Sequence, residues 1–436
     1  MTKTNALRQL DAAGLSYEIR EYDFDDDHPT GLHAEELSDD MRERMFKTLV
    51  TRGEKRGVLV FVIPVSEELD LKKCAAAALA VLTSLSITLP AVDAKSKPSS
   101  MMRQVQTESY DTGGTLIFSD SPEYVKDNGI LYQDVVDGSA RILYYHLNDS
   151  KDDKKLAVIV ENVSGQFNVL NITRGAAAKP SSKFLNVGKA VLTSYMKNAF
   201  HTSLTFNPNE RKLLRDNMHD LIVKPGHLAY GLYDFNVDHP VRITVLMYPA
   251  NSDPFIYSLG AQILPKDEQR LRGTFQGMTR VIRVKGRYNP DSDGIKYMLL
   301  SDGINDQYKT GIDATDGSTV TNFGNYGVDY RIELETRDKT QFYLSPLGGV
   351  YAGAMRSNHK GHSKLILTPR GRTYFGDETP VEPENVKEAR EEGLALLTSY
   401  TELADLGTFN GKVTFDYSPP AASNLPVHII LMPAEN

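Results

Sequence analysis

Tryptophan is absent from this 436-residue chain, and cysteine is nearly so, with Cys74 alone. One cysteine cannot build an intramolecular disulfide framework or a multi-cysteine zinc or iron–sulfur site. A surplus of positive charge is also missing. Lys and Arg number 49 against 57 Asp and Glu, a formal net charge of −8. That excludes a broad cationic face for nucleic acid and leaves only local patches. No Gly-x-Ser-x-Gly elbow, Walker loop, His-Glu-x-x-His helix or His-x-His pair occurs in the sequence, so the common signatures of serine hydrolases, nucleotidases, zinc peptidases and copper oxidases are lacking. What is there is globular: 40% hydrophobic and 24% charged residues, enough for two to four domains. Tyrosine, at 22 residues, exceeds phenylalanine, at 16, a composition suited to sheets with one wet face.

Residues 74–100 form a junction. Lys72-Lys73 precede an apolar stretch from Cys74 to Leu89, and Pro90-Ala91-Val92-Asp93-Ala94 follows. A positive start, an apolar run and small residues (Val92 and Ala94) at −3 and −1 make the order of a secretory signal peptide. The run carries Ser and Thr and is shorter than the roughly 20 apolar residues of a spanning helix, so no stable membrane span is expected. A buried Ala- and Leu-rich helix is the alternative. The polar run Lys95-Ser96-Lys97-Pro98-Ser99-Ser100 favours an export signal and linker.

Residues 1–73 read as a small α/β piece. Thr4 can cap a helix ending at Gly14, and a second helix fits His33 to Arg44. Phe46-Lys47-Thr48-Leu49-Val50 and Val58 to Pro64 read as two strands around a turn at Gly53 to Gly57. Lys3-Thr4-Asn5-Ala6, Ala13-Gly14-Leu15, Glu21-Tyr22, Gly31-Leu32-His33, Phe46-Lys47-Thr48-Leu49, Ile63-Pro64-Val65 and Leu69-Asp70-Leu71-Lys72-Lys73 stand in one order and spacing. This run resembles the amino-terminal half of the YbaK/EbsC family of aminoacyl-tRNA editing domains, which hydrolyse Cys-tRNA(Pro) and related mischarged tRNAs. The resemblance implies a catalytic pocket holding Lys47, with Tyr22 on its wall. An ammonium beside a scissile ester can bind the terminal ribose or phosphate and polarise the attacking water. The family's later Gly-Gly-x-Ser-Pro-x-Gly loop and acidic pocket residue do not follow. The chain leaves the pattern at Lys73, and Ser345-Pro346-Leu347-Gly348-Gly349 lies too far downstream to replace that loop. The piece therefore reads as a truncated editing domain, joined to the rest by fusion.

The remainder is expected to be mainly β. Self-comparison suggests a tandem duplication, with first and second β repeats at 101–250 and 251–436. Leu192-Thr193-Ser194-Tyr195 recurs as Leu397-Thr398-Ser399-Tyr400, and Pro240 to Met247 matches Pro426 to Met432, in preserved order. Each unit is expected to be an antiparallel, sandwich-like domain with one helix, Lys183 to Ala199 in the first and Glu382 to Tyr400 in the second. Strands such as Ala140 to Leu147 read as alternating apolar with polar residues. The region faintly resembles secreted β-rich bacterial surface proteins.

Chemistry is sparse in these repeats. Asn289-Pro290-Asp291-Ser292-Asp293-Gly294 begins like a calcium loop, but Leu300 stands where the twelfth-position Glu belongs, so a hairpin turn is expected. His359 and His362 lack a third nearby ligand and read as a solvated loop. Asn325 to Tyr330 imitates an amine-oxidase motif with the wrong spacing. Aromatics at Tyr144-Tyr145, Tyr230 to Tyr233 and Phe342-Tyr343 are candidates for exposed binding residues, with the Gly348 to Gly353 run lining a cleft. Packing between sheets, with each tyrosine hydroxyl at the edge, is the favoured reading of these residues. No cofactor or metal is expected. Two functions remain: an extracytoplasmic, non-catalytic binding or envelope protein with an unidentified ligand, processed so that residues 95–436 lie outside, or a cytoplasmic deacylase for which tRNA is the partner.

Overall fold

The computed structural model describes residues 46–53, 57–64, 100–377, 384–391, 394–398 and 401–434. It divides into two compact units, Met1–Ala94 and Lys95–Asn436. In the first, Phe46–Gly53 and Gly57–Pro64 pair antiparallel, with Gly53 opposite Gly57. Val, Thr and Phe favour the pleated backbone, and the closing Pro64 sits where no further ladder donor is needed. The helices expected at 4–14 and 33–44 lie outside the described residues, as does the signal-like segment.

The second unit is built on two long strands, Gly129–Asn148 and Leu228–Pro249, antiparallel from Leu228 opposite Leu147 to Met247 opposite Gly129. The other edge of Leu228–Pro249 carries two strands in succession: Lys154–Asn162 pairs with its second half and Asn168–Ala177 with its first. These two run in the same direction and amount to one strand interrupted at 163–167. All three chains break at this level. Val237 and Val241 flank a register shift, and Gly138 turns with φ +67°. The Asn168 side chain holds the break, donating to His239 O at 2.8 Å and accepting from His239 N at 3.1 Å. Such coincident irregularities bend a ribbon and increase its twist.

Both faces are covered in the half of this ribbon formed by Ala140 to Leu147 and Leu228 to Phe235. Leu143, Leu147, Leu228 and Leu232 pack with Val191, Leu192 and Met196 of the helix Phe184–Lys197, while Ile142, Tyr144, Tyr233 and Phe235 face a second core. Continuous apolar runs such as Leu156-Ala157-Val158-Ile159-Val160 follow from that burial. The alternation expected for Ala140 to Leu147 is therefore corrected: nearly every side chain there is buried.

Strands beyond residue 250 join the same framework. Thr115–Ser119 lies parallel to Gly129–Asn148 and antiparallel to Arg272–Gln276. Two further six-stranded sheets enclose the largest core. In one of them Ser100–Gln104 lies between Lys296–Leu300, to which it is parallel, and Ala395–Leu397. The chain is mainly β, as expected, and its sheets are mixed through such parallel pairs. The first helix lies where periodicity puts it. The second is shorter than expected, Glu384–Glu391, because Ala395–Leu397 leaves helical structure to pair with Ser100–Met102.

Candidate functional site

Of the two residues the editing resemblance singles out, Lys47 sits on the strand Phe46–Gly53, opposite Ile63. Tyr22 lies outside the described residues, so no pocket geometry joins the pair.

In the β-rich unit, several sequence candidates are structural. The carboxylate of Asp293 accepts from Asn289 N at 2.8 Å and the Asn289 carbonyl from Asp293 N at 2.9 Å, so the calcium-like segment closes on itself as a turn. Among the described residues no group of three His, Cys, Asp or Glu could hold a metal. His359 and His362 face each other across a two-residue turn at Lys360-Gly361, both with positive φ. His359 also hydrogen-bonds Lys412 O through Nδ1 at 2.9 Å. Tyr144, Tyr230, Tyr233 and Phe342 are buried, the packing between sheets that the sequence favours over exposed binding aromatics: both faces of their strands are covered. The Gly348 to Gly353 run lines no surface cleft either, since Tyr351 and Ala352 are fully buried and Tyr351 packs on Phe375.

Sequence reading missed two buried ionic clusters. In the first, Asp234 accepts from Arg141 at 2.6 and 2.9 Å, from Arg174 Nη2 at 2.9 Å and from the Tyr195 hydroxyl at 2.8 Å. Arg174 also pairs with Asp329 and stacks 4.0 Å from the Tyr195 ring. Burial alone would raise the Asp234 carboxyl, but Arg141 and then Arg174 outweigh it and hold it at about 2. In the second, Arg280 joins Asp111 to Asp306, and Asp306 accepts from the Tyr330 hydroxyl at 2.6 Å. Asn325 and Tyr330, which imitate the amine-oxidase motif, are bound to each other at 2.8 Å inside this cluster. Both clusters satisfy their own charges, and their work is to lock strands together.

A serine–histidine pair is also enclosed. Ser119 Oγ lies 2.8 Å from His146 Nε2, and His146 Nδ1 lies 2.9 Å from the Pro122 carbonyl. A carbonyl only accepts, so Nδ1 carries the proton and Nε2 accepts from the serine. Both residues are 0% exposed, and a nucleophile needs a route for its substrate. Burial lowers the imidazole to about 4.

One cleft is open. Between the short helix Pro254–Gly260 and the outer sheet face lies a space of about 310 Å³. Glu161 stands in register with both Arg211 and Arg242 on the strands beside it. Thr244, one step along, stands between Ile159 and Gln133. Arg242 Nη1 bonds Glu161 Oε2 at 2.6 Å, and Gln133 Nε2 donates to Thr244 at 2.7 Å. The helix is started by Asp253, whose side chain accepts from Phe255 N and Ile256 N at 2.9 Å. Arg211 fastens it by donating to Phe255 O at 3.3 Å and to Ser258 Oγ. Leu259 forms a wall of the cleft and is 79% exposed. The lining thus combines two guanidiniums, one carboxylate, an amide, two hydroxyls and an apolar edge.

No family model matches the chain. A 78-residue segment, 17% of the chain, is 44% identical to EbsC of Enterococcus faecalis, described as a Cys-tRNA(Pro)/Cys-tRNA(Cys) deacylase. The match spans 46% of that relative's length, about half. Among solved structures, PNGF-II aligns over 87% of this chain and 73% of its own at 10% identity and a TM-score of 0.16. Tomato vicilin aligns over 73% and 85% at 9% identity and a TM-score of 0.12. Likenesses that weak carry no argument about fold or function.

Proposed function

We propose that residues 95–436 form an extracytoplasmic, non-catalytic binding or cell-envelope protein, preceded by a truncated deacylase-like segment joined to it by fusion. One observation carries this reading. The division between compact units falls between Ala94 and Lys95, the same bond that the signal-like pattern marks for cleavage. The segment that resembles an editing domain ends earlier, at Lys73, so the apolar run and its small-residue end lie between it and the second compact unit. Fractionation of cells expressing the whole chain tests it. The β-rich unit is expected outside the cytoplasm, with Lys95 as its new first residue on amino-terminal sequencing. Full-length protein confined to the cytosol rejects the reading.

A second reading is favoured by the 44% identity to EbsC: a cytoplasmic deacylase of Cys-tRNA(Pro)-type substrates using Lys47, with the β-rich unit as accessory. Against it stands the missing half of the relative's length, because ester hydrolysis needs groups on both sides of the amino acid and water.

A further inference from the structure

We propose that the cleft beneath the Pro254–Gly260 helix binds a carboxylated sugar, as found in acidic polysaccharides. This deepens the binding reading above and rests on its premise that the β-rich unit holds a ligand.

Charge comes first. Arg211 and Arg242 face a single carboxylate, Glu161, so the lining carries one net positive charge. A ligand with one negative charge neutralises it, whereas a neutral sugar or a zwitterion leaves it standing. Arg211 spends Nη1 and Nη2 on the helix. Arg242 spends only Nη1, on Glu161, so its Nε and Nη2 form a free fork of the geometry that grips a carboxylate in two places.

Hydrogen-bond sense comes second. Glu161 bonds through Oε2 and Gln133 through Nε2, which leaves Glu161 Oε1 and the Gln133 amide oxygen as acceptors in the lining. Acceptors need donors, and a bare sulfate or acetate has none to give. A polyhydroxylated ring does. The Thr244 hydroxyl accepts from Gln133 and keeps its own proton to donate, so the cleft offers both senses, as a ring of hydroxyls requires.

The apolar edge comes third. Leu259 is 79% exposed on the rim, and the C–H face of a pyranose is the part of a sugar that covers such a side chain. The volume of about 310 Å³ is at the lower end of ligand-binding pockets, roughly 300–1,000 Å³.

The test is calorimetric titration of the purified full-length protein with glucuronate, glucose, acetate and glycine, each in separate runs. Glucuronate is expected to bind about tenfold or more tightly than the other three, since the distinguishing contact is a charge-assisted hydrogen-bond pair. Arg242→Met should lower glucuronate affinity about tenfold and leave glucose unchanged. The Arg242 and Glu161 side chains are 38% and 28% exposed, so the variant is expected to fold, as its melting temperature will check. If it does not fold, Leu259→Ser decides, because that side chain stands in solvent and its loss should weaken glucuronate binding several-fold with an unchanged melting temperature. Acetate or glycine binding as tightly as glucuronate overturns the sugar assignment, and glucose doing so overturns the role of charge. Absence of binding, or affinity unchanged in the folded variants, overturns the site. Location is read separately. A cytosolic protein that binds glucuronate sinks the envelope reading alone, and an exported protein that ignores it sinks the cleft assignment alone.

Discussion

Arg141 and Asp234 face each other across neighbouring long strands in a two-pronged ion pair, Nε to Oδ1 at 2.6 Å and Nη2 to Oδ2 at 2.9 Å. The remaining guanidinium nitrogen, Nη1, donates to the carbonyls of Met278 and Gly327 at 2.6 and 3.0 Å. One side chain therefore ties the central ribbon to two segments of the second half of the chain.

Arg141→Met should destabilise the β-rich unit by about 3–5 kcal/mol, because a buried carboxylate loses its main partner and two carbonyls lose their donor. Urea denaturation followed by circular dichroism measures this. Adding Asp234→Leu to the variant is expected to recover part of the loss, and a double variant less stable than the single would contradict the account.

The pH dependence separates two buried groups. His146 is held at about 4 in the folded protein, below about 6.5 when unfolded, so the neutral ring favours the fold. Its contribution, about 3 kcal/mol, is full above pH ~6.5 and is lost as pH falls toward 4. Asp234 is held at about 2 against about 3.9 unfolded. Its contribution, about 2 kcal/mol, is full above pH ~4 and disappears as pH falls toward 2. Denaturation midpoints across this range should lose their slope between pH 6.5 and 4 in His146→Gln and keep it below 4. An unchanged upper slope would remove His146 as its source.

Lys154 acts as an internal clamp. Its ammonium donates to the carbonyls of Val125, Lys126 and Asp127 at 3.3, 2.7 and 2.9 Å. Lys154→Met should cost about 2 kcal/mol by removing the donor these carbonyls share, and it should speed amide hydrogen exchange locally around residues 125–129. Exchange that rises uniformly over the unit would mean the lysine supports the whole fold.

For the amino-terminal segment, full-length protein is expected to deacylate Cys-tRNA(Pro) no faster than buffer, and Lys47→Ala is expected to change nothing. The acidic run Asp23 to Asp27 adds repulsion toward the tRNA backbone. A rate clearly above background that Lys47→Ala abolishes makes the deacylase the better reading.

Local order was legible where local chemistry decides it. The Phe46–Gly53 and Gly57–Pro64 pair follows from β-branched runs flanking glycines, and the Phe184–Lys197 helix from its apolar spacing. Packing of the tyrosines was legible only as a preference, because exposure depends on what covers the second face of a strand, which no single strand's sequence records. The ionic clusters were invisible for a related reason: Arg141 and Asp234 lie 93 positions apart, and Arg174 and Asp329 lie 155. The cleft draws on Gln133, Glu161, Arg211, Arg242 and Leu259, residues whose only common property is a place on one face.

The strand Ser100–Gln104, flanked by Lys296–Leu300 and Ala395–Leu397, sets a timetable for synthesis. The earliest strand of the β-rich unit has neighbours that the ribosome makes about 200 and 300 residues later, at about 5–20 residues per second. It stands unpaired for tens of seconds while the rest emerges. Any nonsense codon before residue 395 leaves one of its edges open for good, so truncated products of this chain should be recovered as aggregates.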